Sequence, residues 1–101
     1  MIKHIVMWKL KDKTVNASAD PRAQEIKKQL EALKGVVSTL RNIEVVFNDA
    51  AADPNNHDVA LVSEFDDIEG LKFYATHPEH LKVGGYIKTV TEGRVCIDYA
   101  F

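Results

Sequence analysis

The sequence predicts one small α+β domain that works as a dimer, with two four-stranded sheets packed face to face. Three observations carry this. Four stretches alternate side chains with the period of a strand, and stretches between them place apolar residues at helical spacing. The order of these elements gives one sheet with its helices on one face. The opposite face keeps enough apolar side chains to call for a partner.

The first strand runs from Ile2 to Leu10. Ile2, His4, Val6, Trp8 and Leu10 share one face, and Lys3, Ile5, Met7 and Lys9 share the other. The stretch 11–19 is polar and reads as a loop. Asp20-Pro21 opens a helix, with Asp20 as N-cap and Pro21 in the first position, where its missing N–H is no loss. Ala23, Ile26, Leu30 and Leu33 form the apolar stripe of that helix. Gly35 is placed to end it. A second strand covers Leu40 to Phe47, with Ile43, Val45 and Phe47 on one face. The segment 48–56 is rich in Asp, Asn and Ala around Pro54 and reads as a turn. Asp58 to Phe65 is the third strand, antiparallel to the second.

Asp66 and Glu69 have the spacing of a capping box for a second helix. Its stripe is Ile68, Leu71, Tyr74 and Ala75. Pro78 disfavours helical geometry in the residue before it, so this helix is expected to end near His77. Val83, Tyr86, Ile87 and Val90 predict a further short helix, weakened by Gly84-Gly85 and stopped by Gly93. Arg94 to Phe101 is the last strand, with Val95, Ile97, Tyr99 and Phe101 on one face and Cys96 on the other.

This order is a ferredoxin-like β-α-β-β-α-β arrangement with a four-stranded antiparallel sheet. Ile5, Met7, Val46, Ala60 and Val62 fall on the face without helices, mixed with Lys3, Glu44 and Glu64. Pairing with a second copy is the simplest cover for such a face.

Composition narrows the function classes. A chain of 101 residues, 46% hydrophobic and 28% charged, suits a single folded domain over residues 1–101. The formal net charge is −2 and no Lys/Arg run stands out, so no nucleic-acid partner is expected. No apolar stretch approaches the ~20 residues that span a bilayer, so no membrane partner is expected. The start reads as a strand rather than a signal peptide. Cys96 is the only cysteine, which rules out an internal disulfide and a Cys-rich zinc site. A reducing, cytoplasmic setting is the expectation.

Four segments carry a family resemblance. Ile2-Lys3-His4-Ile5-Val6-Met7-Trp8-Lys9-Leu10-Lys11 is similar to a "KHIVxxKxK" opening. His57-Asp58-Val59-Ala60-Leu61-Val62-Ser63-Glu64-Phe65 is similar to an "HDxALxSEF" strand. Tyr74-Ala75-Thr76-His77-Pro78-Glu79-His80 is similar to a "YxxHPxH" helix end. Cys96-Ile97-Asp98-Tyr99 resembles a closing "xxDY" strand. Together, in order and at matching spacing, they resemble the stress-responsive dimeric α/β-barrel (Dabb) domain family. The resemblance implies a homodimer whose two sheets close into a barrel. Function within that family is diverse. One plant branch includes a cofactor-free polyketide cyclase that closes an aromatic ring by an aldol step, and fold alone does not choose between activities.

The histidines are the candidate chemical groups. His4 lies mid-strand with Val6 and Trp8, either as a hydrogen-bonded core histidine or as a pocket residue under the helices. Tyr74 and His77 are three apart on one helix and so are neighbours. His77 has a structural reading, a histidine at a helix C-terminus favoured by the dipole. By resemblance to the cyclase, His80 is the general base and Tyr74 the hydrogen-bond donor to a developing oxyanion. Val59 occupies the place of a second pocket histidine of that enzyme, and the first helix offers Ile26 and Leu30 where the enzyme has aromatics. Residues 77 and 80 have a spacing seen in metal sites, but Pro78 interrupts the helix between them and no third ligand is evident. No metal and no cofactor are expected, and Cys96 reads as packing.

Two functions remain open on the sequence. One is a small homodimeric protein that binds a small apolar ligand near His4, Val6, Trp8, Val59 and His77. The other is a cofactor-free cyclase-like enzyme on a polyketide-like substrate, with His80 and Tyr74 as its catalytic pair.

Overall fold

The computed structural model describes all residues, Met1–Phe101. The strands are β1 (Ile2–Leu10), β2 (Leu40–Phe47), β3 (Val59–Phe65) and β4 (Thr91–Ala100). The helices are α1 (Pro21–Glu31), α2 (Ile68–Thr76) and α3 (Pro78–Val90), with a short 3-10 turn at Ala17–Ala19 before α1. The sheet order is β2-β3-β1-β4, antiparallel throughout, so β1 and β3 are central. No helix is long and apolar enough to cross a membrane.

Strand parity sets the layers. His4, Val6, Trp8 and Leu10 of β1 are buried beneath the helices, with Val45 of β2 and Val59, Leu61, Ser63 and Phe65 of β3. Ala23, Ile26 and Leu30 of α1, Leu71 and Tyr74 of α2, and Val83 and Ile87 of α3 close over them. On the opposite face the register aligns Ile5 with Val62 and Ile97, and Met7 with Ala60 and Val95. Met7, Val46, Val95, Ile97 and Tyr99 are exposed there. This is the apolar face expected to take a second copy.

Several local expectations change. The N-cap of α2 is Asp67, whose carboxylate accepts from the Gly70 N–H at 2.8 Å. Asp66 instead pairs with Arg41, two bonds of 2.7 and 3.1 Å. The cap thus lies one residue nearer the helix than the Asp66/Glu69 spacing suggests, and Ile68 and Ala75 are left exposed on α2. The further short helix is a full 13-residue helix that starts at Pro78. Proline suits a first helical position, so Pro78 both ends α2 and opens α3. Helix α1 ends at Glu31, and Gly35 (φ 86°) belongs to the turns that follow.

Gly93 does not stop a helix. It lies inside β4 with φ 63°. The register steps from Met7–Val95 to Lys9–Glu92, so Gly93 and Arg94 together oppose Trp8. This is a β-bulge with glycine in its left-handed position. The extra residue fixes parity for the rest of β4. Arg94, Cys96 and Asp98 lie on the helix side, and Val95, Ile97 and Tyr99 on the bare side. His57 steadies the bulge, its Nε2–H donating to the Gly93 carbonyl at 3.0 Å. Asp58 pins the same end of the sheet. Its carboxylate accepts from the Leu10 N–H at 2.8 Å and pairs with Lys13.

Candidate functional site

Between the helices and the sheet lies a cavity of about 500 Å³. Its floor is β1, where alternation presents His4, Val6 and Trp8. Tyr74 enters from α2, and His80 from the first turn of α3. Leu81, Gly84, Gly85 and Lys88 recur at helical spacing and form the α3 wall. A Cβ added at Gly84 or Gly85 would meet nothing within 4 Å, so the pair keeps that wall open. Arg94 reaches the cavity from β4.

Tyr74 is fully buried, and its hydroxyl has no hydrogen-bond partner in the chain. Its ring packs against Phe65 at 5.1 Å and His80 at 4.4 Å between centroids. Burial pushes its acidity well below that of an ordinary phenol, so the hydroxyl keeps its proton and acts as a donor. Buried hydroxyls are normally satisfied, so an unpartnered one on a residue that lines a cavity is unusual.

His80 complements it. Its Nδ1–H donates to the Ala75 carbonyl at 3.1 Å, which leaves Nε2 without a hydrogen in the neutral ring. Burial is the main cause holding its pKa below the ordinary value, and the charges of His4, Arg94 and His77 act in the same direction. The imidazole is therefore a neutral base near pH 7. A proton donor and a proton acceptor stand together in one apolar cavity.

His4 is buried, and its Nδ1 is bonded to the Asp98 carboxylate across the β1–β4 pair. This fixes the proton on Nδ1, as a carboxylate does for an orienting histidine. Cys96 Sγ lies 3.6 Å from the same nitrogen. His4, Cys96 and Asp98 each present a ligand atom within 4.8 Å of the others, the donor set of a three-ligand metal centre. Burial and the neighbouring Asp98 push the Cys96 thiol up, and the His4 proton is engaged by Asp98. With Nδ1 of His4 bonded to Asp98, the cluster stands as a carboxylate-oriented histidine.

Of the residues singled out in the sequence, His4, Val6, Trp8, Tyr74 and His80 come together at the cavity. Val59 and His77 do not. Val59 is buried in the sheet–helix core opposite Trp8 and Phe47. His77 caps α3, its Nδ1 accepting from the Glu79 N–H at 3.1 Å. It therefore serves the N-terminus of the next helix rather than the dipole at the end of α2. The sequence pattern does not single out Arg94, Lys88 or Asp98 as site residues. Pairing His4 with Asp98 needs the β1–β4 register, and placing Arg94 needs the bulge.

Comparison with known proteins agrees with this architecture. The family model described as "Stress responsive A/B Barrel Domain" matches residues 2–101. An uncharacterised protein of Streptomyces coelicolor is 35% identical over 80 residues, 79% of each chain. A dimeric protein of unknown function and ferredoxin-like fold from Bacteroides fragilis is 40% identical. It superposes with a TM-score of 0.84, covering 99% of this chain and 95% of its own. That relative's dimer supports self-association here. The hydroxynitrile lyase of Passiflora edulis shares the fold at 14% identity, with a TM-score of 0.79 and coverage of 97% and 90%. The chain belongs to the stress-responsive A/B barrel domain family, Dabb.

Proposed function

We propose that the protein is a homodimer that binds a small, largely apolar carbonyl compound in the cavity between helices and sheet. The observation that carries this is the Tyr74 hydroxyl, buried and without a partner, on a residue that lines the cavity. A ligand carbonyl is the acceptor it lacks. The volume is in the range of small-molecule sites, and Val6, Trp8, Leu61 and Ile87 supply apolar walls.

A second reading is favoured by His80. With Nδ1 donating to Ala75, Nε2 is free to take a proton from the carbon next to the bound carbonyl. The C–H electrons pass to the carbonyl oxygen, and the enolate accepts a hydrogen bond from Tyr74. If the ligand holds a second carbonyl, the enolate carbon attacks it and a C–C bond closes the ring. The resulting alkoxide recovers the proton from Nε2. This is aldol-type, cyclase-like chemistry without a cofactor. The Passiflora lyase shows only that the fold hosts an enzyme.

Trp8 is the only tryptophan and lines the cavity, so its fluorescence reports occupancy. Titration with the aryl 1,3-diketone benzoylacetone should change Trp8 emission saturably, with calorimetry giving the same affinity. Gly84→Leu fills the open wall without straining the helix, so it should weaken binding at least about tenfold while the melting temperature is kept or raised. Binding unaffected by Gly84→Leu would place the ligand elsewhere and count against the proposal.

A further inference from the structure

We propose that the ligand carries a carboxylate, received by Arg94 at the cavity mouth, with Lys88 adding positive charge to the rim. This rests on reading the cavity as a site for a carbonyl compound and names the class of compound.

The chain has three arginines, and their pairing differs. Arg22 is matched to Asp20, with Nη2 2.7 Å from the carboxylate and Nε at 3.1 Å. Arg41 is matched to Asp66 by two bonds. Arg94 forms no ion pair with any carboxylate of the chain, and neither does Lys88. Both line the cavity, and no acidic residue does. Asp98 is on the same face of β4, but its carboxylate is held by His4.

The placement of Arg94 is built into the backbone. Without the Gly93 bulge, strict alternation would put residue 93 opposite Trp8 on the cavity side and turn Arg94 to the bare face. A planar guanidinium matches a carboxylate with two parallel hydrogen bonds, which a point-charge ammonium does not. Arg94 is exposed, so the ligand's charge keeps contact with water and avoids the desolvation cost of a buried ion pair. With the carboxylate at this rim, the apolar body lies along Trp8 and the carbonyl points inward toward Tyr74. The ligand class is then an apolar keto acid.

Benzoylacetone and benzoylpyruvate share one skeleton, a methyl group in the first standing where the second has a carboxylate. At low salt, benzoylpyruvate should bind the wild-type protein about tenfold more tightly, the gain of a charge-assisted pair. Added NaCl should shrink the preference, because the rim is open to solvent. Arg94→Gln should remove most of the preference for benzoylpyruvate, and Lys88→Gln should narrow the gap by a smaller factor. Equal affinities in the wild type, or a preference undiminished by Arg94→Gln, would overturn the carboxylate assignment and leave the carbonyl site standing. Failure of both compounds to bind would sink the carbonyl site and this proposal with it.

Discussion

The two faces of the sheet are made from the same strands, yet they differ in every property that bears on function. On the helix side, β1 presents His4, Val6 and Trp8 to a cavity. On the other side, residues one step away, Ile5 and Met7, join Val62, Val95 and Ile97 in an apolar surface with no cover in the chain. A cavity lies on one face and a bare apolar surface on the other. A single backbone feature, the bulge at Gly93, keeps β4 in phase with both.

The assembly face should give the largest effect. Ile97→Asp places a carboxylate opposite Ile5, and a two-fold interface suffers it twice. The expected loss is about 4 kcal/mol or more of association energy. Light scattering should then report a single chain of 11.3 kDa where the wild type shows two. A variant that stays dimeric would move the interface off this face.

Tyr74→Phe tests the opposite face. Removing a hydroxyl with no protein partner should leave the melting temperature unchanged or slightly higher. The same change should slow any enolisation by about a hundredfold. A clear loss of stability would instead make Tyr74 a structural residue.

Gly93→Ala tests the hinge between the faces. The added Cβ meets only the Lys9 side chain, at 3.9 Å, so the cost is backbone strain of about 1 kcal/mol at this positive φ. Denaturant unfolding should show that loss, together with a weaker preference for benzoylpyruvate if the bulge shifts.

The smallest effect is with pH. Burial lowers the proton affinity of His80 in the folded chain relative to the unfolded one. Where the unfolded state binds more protons, stability rises with pH. The His80 contribution is therefore fully favourable above its unfolded value of about 6.5 and is lost as pH falls through and below it. The acid limb of kcat/KM for proton abstraction should likewise lie below 6.5, the ordinary imidazole value. A limb at or above that value would contradict the buried base.

Most of the fold is legible in alternation and caps. The limits of β1 and β2, the Asp20–Pro21 helix start and the apolar bare face all follow from side-chain period and turn chemistry. The errors gather where one residue serves two elements. Pro78 reads as a stop but also starts α3, and His77 caps the helix after it. Asp66 and Asp67 compete for one cap, and only the long-range Arg41 partner shows which is free. At the site, His4 stands out as a polar group on an apolar strand face, whereas Tyr74 and His80 are singled out by the resemblance of segment 74–80 to the family's helix end. Asp98 and Arg94 are hidden because their roles depend on register across β1 and β4, which no local window contains. The bulge that sets this register is a lone glycine in the sequence, indistinguishable there from a helix terminator.

Proton abstraction by His80 with Tyr74 as donor is the step that the second reading adds to carbonyl binding. Its most direct test is deuterium incorporation into the α-carbon of benzoylacetone in D2O, followed by proton NMR. The wild-type protein should exceed the buffer rate, and His80→Gln, which keeps an N–H for Ala75 but has no base, should lose about 10²–10⁴-fold of that acceleration. A wild-type rate equal to buffer, or a His80→Gln rate equal to wild type, would contradict it.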